Sequence, residues 1–199
     1  MREIFDLQWK LNIATMKRID LDFEEEMGNP ERKLVWIENY RKALCAELAE
    51  LIRDVRDHGM ETQNGKIELV DMLHFLVSLS QIVALDPEDV PAFGGRASGT
   101  PPAPTLESCA LRTFLALDDL QNSLKWKWWA RGGGFKEEKA IEAVRELWRS
   151  LDACCGFYGL DFKTMKEIYI AKNRINFQRQ EQDYNEDTKT EDDNRSINV

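Results

Sequence analysis

Residues 44–55 read LCAELAELIRDV, and residues 66–77 read KIELVDMLHFLV. Each stretch carries two acidic residues three positions apart, namely Glu47 with Glu50 and Glu68 with Asp71. On a helix this spacing places both carboxylates of a pair on one face. Aliphatic residues flank both pairs at helical spacing, so we predict two helices whose acidic pairs lie at the edge of an apolar stripe. An antiparallel hairpin of these helices would bring the four carboxylates together.

Helical periodicity extends over most of the remaining chain, and no segment shows the alternation that is typical of a strand. We predict helices at about residues 3–17, 30–58, 66–84, 106–131, 136–157 and 161–178. Pro30 suits the first turn of its helix, and Gly59 suits the end of the same helix. The predicted fold class is therefore all-α, a single helical bundle.

Two segments depart from this pattern. Residues 86–105 hold five of the six prolines and are predicted to form a long loop. Residues 183–199 are almost entirely polar or charged, and such a segment buries too little apolar area to offset the entropy lost on ordering. We therefore predict one domain over residues 1–182, followed by a flexible polar tail.

The composition, with 43% hydrophobic and 32% charged residues, is typical of a soluble globular protein. The net charge of −9 argues against a protein that binds duplex nucleic acid, because such proteins normally carry a basic face. The four cysteines and two histidines lack the spacing of a zinc site. No apolar run approaches the roughly 20 residues of a membrane span, and the first residues do not resemble a signal peptide. We expect a cytoplasmic protein without a membrane segment.

The four carboxylates admit two interpretations. Carboxylates that converge in a partly buried place repel one another unless some are protonated or a cation joins them. Hard oxygen ligands of this kind suit Mg²⁺, which keeps several waters and takes substrate phosphates as further ligands. Acidic pairs at this spacing are also common on solvated helix faces, in which case the chain would be a helical interaction module. The pattern by itself leaves both interpretations open.

A basic face is predicted near the end of the last helix. Lys172, Asn176 and Arg179 recur at spacings of four and three, so they share one helical face. Lysine supplies a point charge and arginine a planar fork of donors, a combination that suits phosphate. The alternative is a solvated basic helix end that complements the helix dipole.

Several segments resemble one known family in the same order along the chain. The acidic pairs match its ExxE and ExxD pattern, and residues 70–75 (VDMLHF) resemble its VDxxHF motif. Residues 172–180 (KNRINFQRQ) resemble its KNxxNxxRQ motif, and residues 7–12 (LQWKLN) resemble its LQxxLN motif. Trp36 and Tyr184 stand where the family often carries aromatic residues. The chain is thus similar to the dimeric dUTPases, which belong to the all-α, MazG-like nucleoside triphosphate pyrophosphatases.

This resemblance implies an activity and a set of site residues. The implied reaction is Mg²⁺-dependent hydrolysis of dUTP to dUMP and pyrophosphate by a metal-activated water, with dUDP as a further candidate substrate. Two or three Mg²⁺ ions would be held by Glu47, Glu50, Glu68 and Asp71. Glu47 and Glu50 would be catalytic, with Glu47 as the base. Phosphate contacts are implied for Lys172, Asn176 and Arg179. Nucleoside contacts are implied for Gln8, Asn12, Trp36, His74 and Phe75. The resemblance also implies a homodimer.

A stretch rich in lysine and tryptophan sets the chain apart from the family pattern. Dimeric dUTPases often carry such a stretch just after the first acidic pair, whereas here it occupies residues 125–129 (KWKWW). We predict that it lies on a helix, with Trp126 and Trp129 on one face. A role in the core or in a subunit interface is favoured over contact of Lys125 or Lys127 with phosphates. The departure leaves the base open, with dCTP or another deoxynucleotide as the alternative to dUTP.

Overall fold

The computed structural model describes residues 1–59, 62–93 and 105–181. Within these ranges the chain forms seven α-helices and no strand, so the all-α prediction is confirmed. In chain order the helices are α1 (Arg2–Lys17), α2 (Phe23–Gly28), α3 (Pro30–His58), α4 (Gln63–Ile82), α5 (Leu106–Ser123), α6 (Glu137–Phe157) and α7 (Phe162–Glu181). Most of the predicted loop at residues 86–105 and the predicted tail at 183–199 lie outside the described residues.

The helix α4 lies at the centre of the bundle, in contact with α1, α3, α6 and α7. Most of its residues are buried, and its leucines, valines and isoleucines form one core with apolar residues of the surrounding helices. A helix that is surrounded on all sides is normally hydrophobic all round. Glu68 and His74 are buried exceptions to that rule, and both face the candidate site described below.

Capping side chains set the ends of the hairpin formed by α3 and α4. Asn29 accepts hydrogen bonds from two backbone N–H groups at the start of α3, and Pro30 occupies the first helical position, as predicted. The helix ends before Gly59, as predicted. Thr62 caps α4 by accepting a hydrogen bond from the Gly65 N–H. This cap starts α4 about one turn earlier than the sequence predicted.

The helix α2 was missed by the sequence analysis. Asp22 caps it, with Oδ1 accepting hydrogen bonds from the N–H groups of Glu24 and Glu25. Phe23 is buried and packs edge-on against Trp9, with 4.7 Å between the ring centroids. An aspartate before a run of glutamates is a helix-start signal, but a helix of six residues is too short for periodicity to reveal.

The helix α5 ends at Ser123, so the prediction of a helix to residue 131 is wrong. The Ser123 hydroxyl donates a 2.6 Å hydrogen bond to the Leu120 carbonyl oxygen, which a continuing helix would use for its own N–H group. The N–H of Lys136 donates to the Ser123 carbonyl oxygen at 2.9 Å. Both bonds occupy carbonyl oxygens that a longer α5 would use for its own backbone hydrogen bonds. Residues 125–129 consequently lie in a loop between α5 and α6.

The helices α1 and α7 pack on each other and on α4, which closes the bundle. Tyr169 of α7 is fully buried, and its hydroxyl lies 3.3 Å from the Ile4 carbonyl oxygen of α1. Trp148 of α6 is likewise buried and stacks on Phe5, with 6.4 Å between the ring centroids. None of the helices in the described ranges is both long and apolar enough to cross a membrane.

Candidate active site

Three carboxylates converge where α3 packs on the first turns of α4. Glu47, Glu50 and Glu68 each offer one carboxylate oxygen, and these oxygens lie within 4.8 Å of one another. Glu68 is buried, Glu47 is half-buried and Glu50 is exposed. The acidic cluster, meaning these three residues, therefore extends from the protein interior to the solvent.

The electrostatics of Glu68 reflect this crowding. Burial, followed by the charges of Asp71, Glu47 and Glu50, raises the pKa of Glu68 to about 9. A hydrogen bond between Glu68 and Glu47 acts in the same direction, because two carboxyl groups need a shared proton to form one. Charged carboxylates at this spacing are unfavourable by themselves, and a divalent cation that prefers oxygen ligands would relieve their repulsion.

Asp71, the fourth predicted metal ligand, pairs with a cation of the protein. Its Oδ2 lies 2.8 Å from the Nζ of Lys172, whose side chain is only 3% exposed. Among the described residues, the group of mutually close carboxylates does not include Asp71. Asp71 is nevertheless near enough to Glu68 to raise its pKa. It therefore lies between the acidic cluster and the basic residues of α7.

A cavity of about 260 Å³ adjoins the acidic cluster and is enclosed by α1, α3, α4 and α7. Among the described residues, its acidic lining residues are Glu47 and Asp71. The α7 residues in its wall include Lys172, Asn176 and Arg179. Other predicted site residues that line it are Gln8, Asn12, His74 and Phe75. Residues predicted from three separate parts of the chain thus meet around one cavity.

The Gln8 amide in the cavity wall is fixed by its partners. Its Oε1 accepts a 2.7 Å hydrogen bond from the Tyr169 hydroxyl and lies 2.7 Å from Nδ1 of His74. Its Nε2 donates to Oδ1 of Asn12 at 2.9 Å. Burial, together with the charge of Lys172, lowers the pKa of His74 to about 3, so the ring is neutral.

The neutral His74 ring has one donor and one acceptor. Because Nδ1 faces the carbonyl oxygen of Gln8, Nδ1 carries the proton and Nε2 keeps a lone pair. This Nε2 is buried and has no hydrogen-bond partner within the part of the chain that the structure describes. His74 lines the cavity and therefore carries a buried hydrogen-bond acceptor there.

A family model described as dUTPase matches residues 1–184, which is most of the chain. The chain belongs to the dimeric dUTPase family. The enzyme is accordingly a dUTP diphosphatase, and its family is metal-dependent. The match includes all the described residues that line the cavity and the whole acidic cluster. A comparison with curated proteins found no matching sequence.

In this dUTPase a row of aromatic residues leads to the cavity. The indole Nε1 of Trp36 donates a 2.8 Å hydrogen bond to Glu26, and Trp36 is not among the described residues in the cavity wall. Tyr40 lies between Trp36 and Phe75, with ring centroids 6.0 Å and 6.2 Å from theirs. Burial raises the pKa of Tyr40 to about 12, and its hydroxyl hydrogen-bonds to Ser78.

Tyr40 lines the cavity but was missed by the sequence analysis. A tyrosine at helical spacing matches a core position as well as a site position, so its type alone is not informative. Its distance of four residues from Trp36 was the available signal, since that spacing puts both rings on one face of α3.

The loop of residues 125–129 contributes none of the described residues that line the cavity of this dUTPase. Trp128 and Trp129 are 85% and 61% exposed and contact each other edge to face. The Nζ of Lys127 lies 5.3 Å from the ring centroid of Trp126. These exposures contradict a core position for the loop and leave the interface interpretation.

Proposed function

We propose that the cavity and the acidic cluster together hydrolyse dUTP to dUMP and pyrophosphate with the help of Mg²⁺. The observation that carries this proposal is that Glu47 belongs to both the cluster and the cavity wall, and that Lys172 and Arg179 line the same cavity. A nucleoside triphosphate needs cations at its phosphates and a polar pocket for its base. The nucleoside and two of the three phosphates are retained in dUDP, so dUDP is a further candidate substrate.

The residues proposed to hold Mg²⁺ are Glu47, Glu50, Glu68 and Asp71. They offer only carboxylate oxygens, the ligand type that Mg²⁺ prefers, and the raised pKa of Glu68 supports a need for added positive charge there. Two or three bound ions would lower the pKa of a coordinated water and neutralise charge on the phosphates. Asp71 has two oxygens, so it can keep its contact with Lys172 while it faces a cation.

Residues of the chain itself supply proton transfer and orientation. Glu47 is half-buried at the cavity, so we assign to it the acceptance of a proton from the attacking water. Glu50 completes the catalytic pair on α3 from the solvent side of the cluster. Lys172, Asn176 and Arg179 are assigned to the phosphates, where charge-assisted hydrogen bonds are strong.

The nucleoside is assigned to the part of the cavity lined by α1 and α4. The proposed contacts are Gln8, Asn12, His74 and Phe75, with Trp36 further out along the aromatic row. The fixed amide of Gln8 and the bare Nε2 of His74 favour a ligand with matching donors and acceptors. The alternative substrate is dCTP or another deoxynucleotide, because the acidic cluster is assigned to the phosphates and does not select the base.

A second copy of the chain is the proposed protein partner. Leu111, Phe114 and Leu115 share one face of α5 and are 63%, 59% and 60% exposed. Asn122 lies further along the same face and accepts a 2.9 Å hydrogen bond from Nε1 of Trp126. The loop of tryptophans therefore continues the exposed apolar face of α5. Such a face is typical of a subunit interface, and the family is a dimeric one.

The reaction is tested by measuring pyrophosphate release from each deoxynucleoside triphosphate, with Mg²⁺ and with EDTA. We expect dUTP to be the fastest substrate and EDTA to stop the reaction. A higher rate with dCTP would select the alternative base while keeping the site. If the folded, Mg²⁺-supplied protein releases no pyrophosphate from any of them, the proposal fails and the helical interaction module is favoured.

A further inference from the structure

Asp54, near the end of α3, is a buried carboxylate whose oxygens are both engaged. It is 7% exposed and lies four residues after Glu50, on the same helical face. The Thr62 hydroxyl donates to Oδ2, and the Nδ2 of Asn64 donates to Oδ1 at 3.3 Å. The Nδ1 of His58 lies 3.1 Å from the same Oδ1. A carboxylate that is so fully occupied is suited to holding other side chains in place.

Asn64 links Asp54 to the acidic cluster. Its Nδ2 donates to Oε1 of Glu68 at 3.1 Å as well as to Asp54. An amide nitrogen carries two hydrogens, so it can serve both carboxylates at once. Asn64 lies four residues before Glu68, on the same face of α4. One oxygen of the most buried carboxylate in the cluster is thereby tied to the end of α3.

The start of α4 does not depend on this amide for its structure. Thr62 provides the cap by accepting a 2.9 Å hydrogen bond from the Gly65 N–H. Tyr158 packs directly on Gly65, where a Cβ would come within 2.6 Å of the tyrosine hydroxyl oxygen. Since capping and packing are supplied by other residues, the two hydrogen bonds of Asn64 require a different explanation.

We propose that Asn64, held by Asp54, is a positioning residue that orients the Glu68 carboxylate for cation binding. This inference rests on the proposed metal site. The amide donates to Oε1 of Glu68, whose carboxylate also belongs to the acidic cluster. Without it, the Glu68 side chain is free to reorient among its neighbours. Partners that hydrogen-bond to metal ligands typically change metal affinity by about tenfold or more.

The test is a titration with Mn²⁺, which binds oxygen sites like those of Mg²⁺ and is followed by electron paramagnetic resonance. Asn64→Leu removes the amide at similar size, Asn64→Ala truncates the side chain, and Asn64→Gln restores an amide. The control is Arg149→Leu, which removes hydrogen bonds of 2.9 Å to Glu142 and 3.0 Å to Glu146 on the exposed side of α6.

We expect the Kd for Mn²⁺ to rise about tenfold in Asn64→Leu and Asn64→Ala. The Gln variant should recover most of this loss, and the Arg149→Leu control should bind Mn²⁺ like the wild type. The Mg²⁺ concentration that gives half the maximal rate should rise with the Mn²⁺ Kd. At saturating Mg²⁺, the KM for dUTP should be unchanged, because Asn64 is not among the described residues in the cavity wall.

Glu50→Ala separates failure of this inference from failure of the proposed function. If the wild type binds no Mn²⁺, or if Glu50→Ala binds it equally well, both the metal site and the inference fail. If the wild type binds Mn²⁺ in a Glu50-dependent manner and folded Asn64→Leu and Asn64→Ala bind it as tightly, the inference alone fails. A loss in Arg149→Leu as large as that in Asn64→Leu would also overturn it. Thermal melting in EDTA verifies that each variant is folded.

Discussion

Asp71 and Lys172 form an ion pair between α4 and α7, with Oδ2 and Nζ 2.8 Å apart and the lysine almost fully buried. The pair connects the acidic side of the cavity to its basic side. A buried ammonium group depends on its anionic partner to remain charged in the interior. Asp71 thus has a structural role in addition to the proposed binding of Mg²⁺, and the two roles predict different effects of substitution.

Asp71→Ala is expected to lower the stability of the metal-free protein as well as to abolish turnover. Removing one member of a buried ion pair costs about 3 kcal/mol, because the other charge remains in the interior. Urea unfolding in EDTA measures this loss. The double variant Asp71→Ala/Lys172→Met should regain most of the lost free energy of unfolding and remain inactive. An Asp71→Ala variant as stable as the wild type would contradict the structural role.

Glu50→Ala is expected to abolish dUTP hydrolysis without lowering the stability of the metal-free protein. Glu50 is exposed and repels the other carboxylates of the cluster, so its removal leaves the free energy of unfolding unchanged or raises it. Pyrophosphate release and urea unfolding provide the two measurements. Glu31→Ala, at an exposed position in the first turn of α3, should behave like the wild type. Nearly normal activity in a folded Glu50→Ala variant would remove the assigned metal site.

The stability of the metal-free protein is expected to fall as the pH rises from about 4.5 to about 9. Folding raises the pKa of Glu68 from its ordinary 4.5 to about 9, so the folded protein holds this proton more tightly than the unfolded chain. The contribution of Glu68 is therefore complete below pH 4.5 and is lost as the pH rises to about 9, by at most about 1.4 kcal/mol per pH unit. Urea unfolding in EDTA across this range measures the effect.

Glu68→Gln is the control for this pH dependence, because it keeps the size of the side chain and removes the titrating proton. Its stability should vary less with pH than that of the wild type, and Mg²⁺ should stabilise the wild type most at the upper end of the range. Identical pH profiles for the wild type and Glu68→Gln in EDTA would show that Glu68 does not titrate as described.

Arg179→Ala is expected to lower kcat/KM for dUTP by roughly 10- to 150-fold, since a hydrogen bond to a charged group contributes about 1.5–3 kcal/mol. Arg174→Ala is the matched control, because Arg174 lies on the same helix and is exposed.

Deletion of the residues after Thr188 should change little, because that segment is almost entirely polar. A deletion as damaging as Arg179→Ala would show that the boundary of the catalytic domain is misplaced.

Trp126→Ala and Trp129→Ala are expected to dissociate the proposed dimer while each subunit stays folded. Both side chains lie in an exposed loop, so their removal costs the isolated subunit little packing. Light scattering after size-exclusion chromatography measures the mass, and circular dichroism measures the fold. Lys125→Ala and Lys127→Ala should be kinetically silent. A large rise of KM in a folded, dimeric lysine variant would assign the loop to the substrate instead.

The sequence predicted the helices and the convergence of the first three carboxylates because both depend on local patterns. A spacing of three places Glu47 beside Glu50, and the turn after Gly59 is short enough to bring Glu68 against them. The resemblance to a family supplied the residues around the cavity, which periodicity alone leaves ambiguous between a core and a site.

The features that the sequence analysis missed depend on partners distant in the chain. The end of α5 is set in part by a hydrogen bond from the N–H of Lys136 to the Ser123 carbonyl oxygen. The helix propensities of residues near Ser123 do not indicate such a bond. Pairing of Asp71 with Lys172 depends on how α7 docks on α4, and residue types give no indication of it. Tyr40 had one local signal, its spacing of four residues from Trp36, but its contact with Phe75 of α4 depends on how the two helices pack.

Gln8 is proposed to contact the nucleoside, and on that assignment the orientation of its amide limits how a new base preference can evolve. Tyr169 and His74 face its oxygen, and Asn12 faces its nitrogen. A reversed amide would place its NH₂ group against the protonated Nδ1 of His74 and its oxygen against Oδ1 of Asn12. An exchange at position 8 alone therefore disturbs partners on three helices before it gains anything with another base. Directed evolution that randomises single positions would discard such changes. Libraries that vary Gln8 together with Tyr169 and His74 are therefore better suited to finding variants with a new base preference.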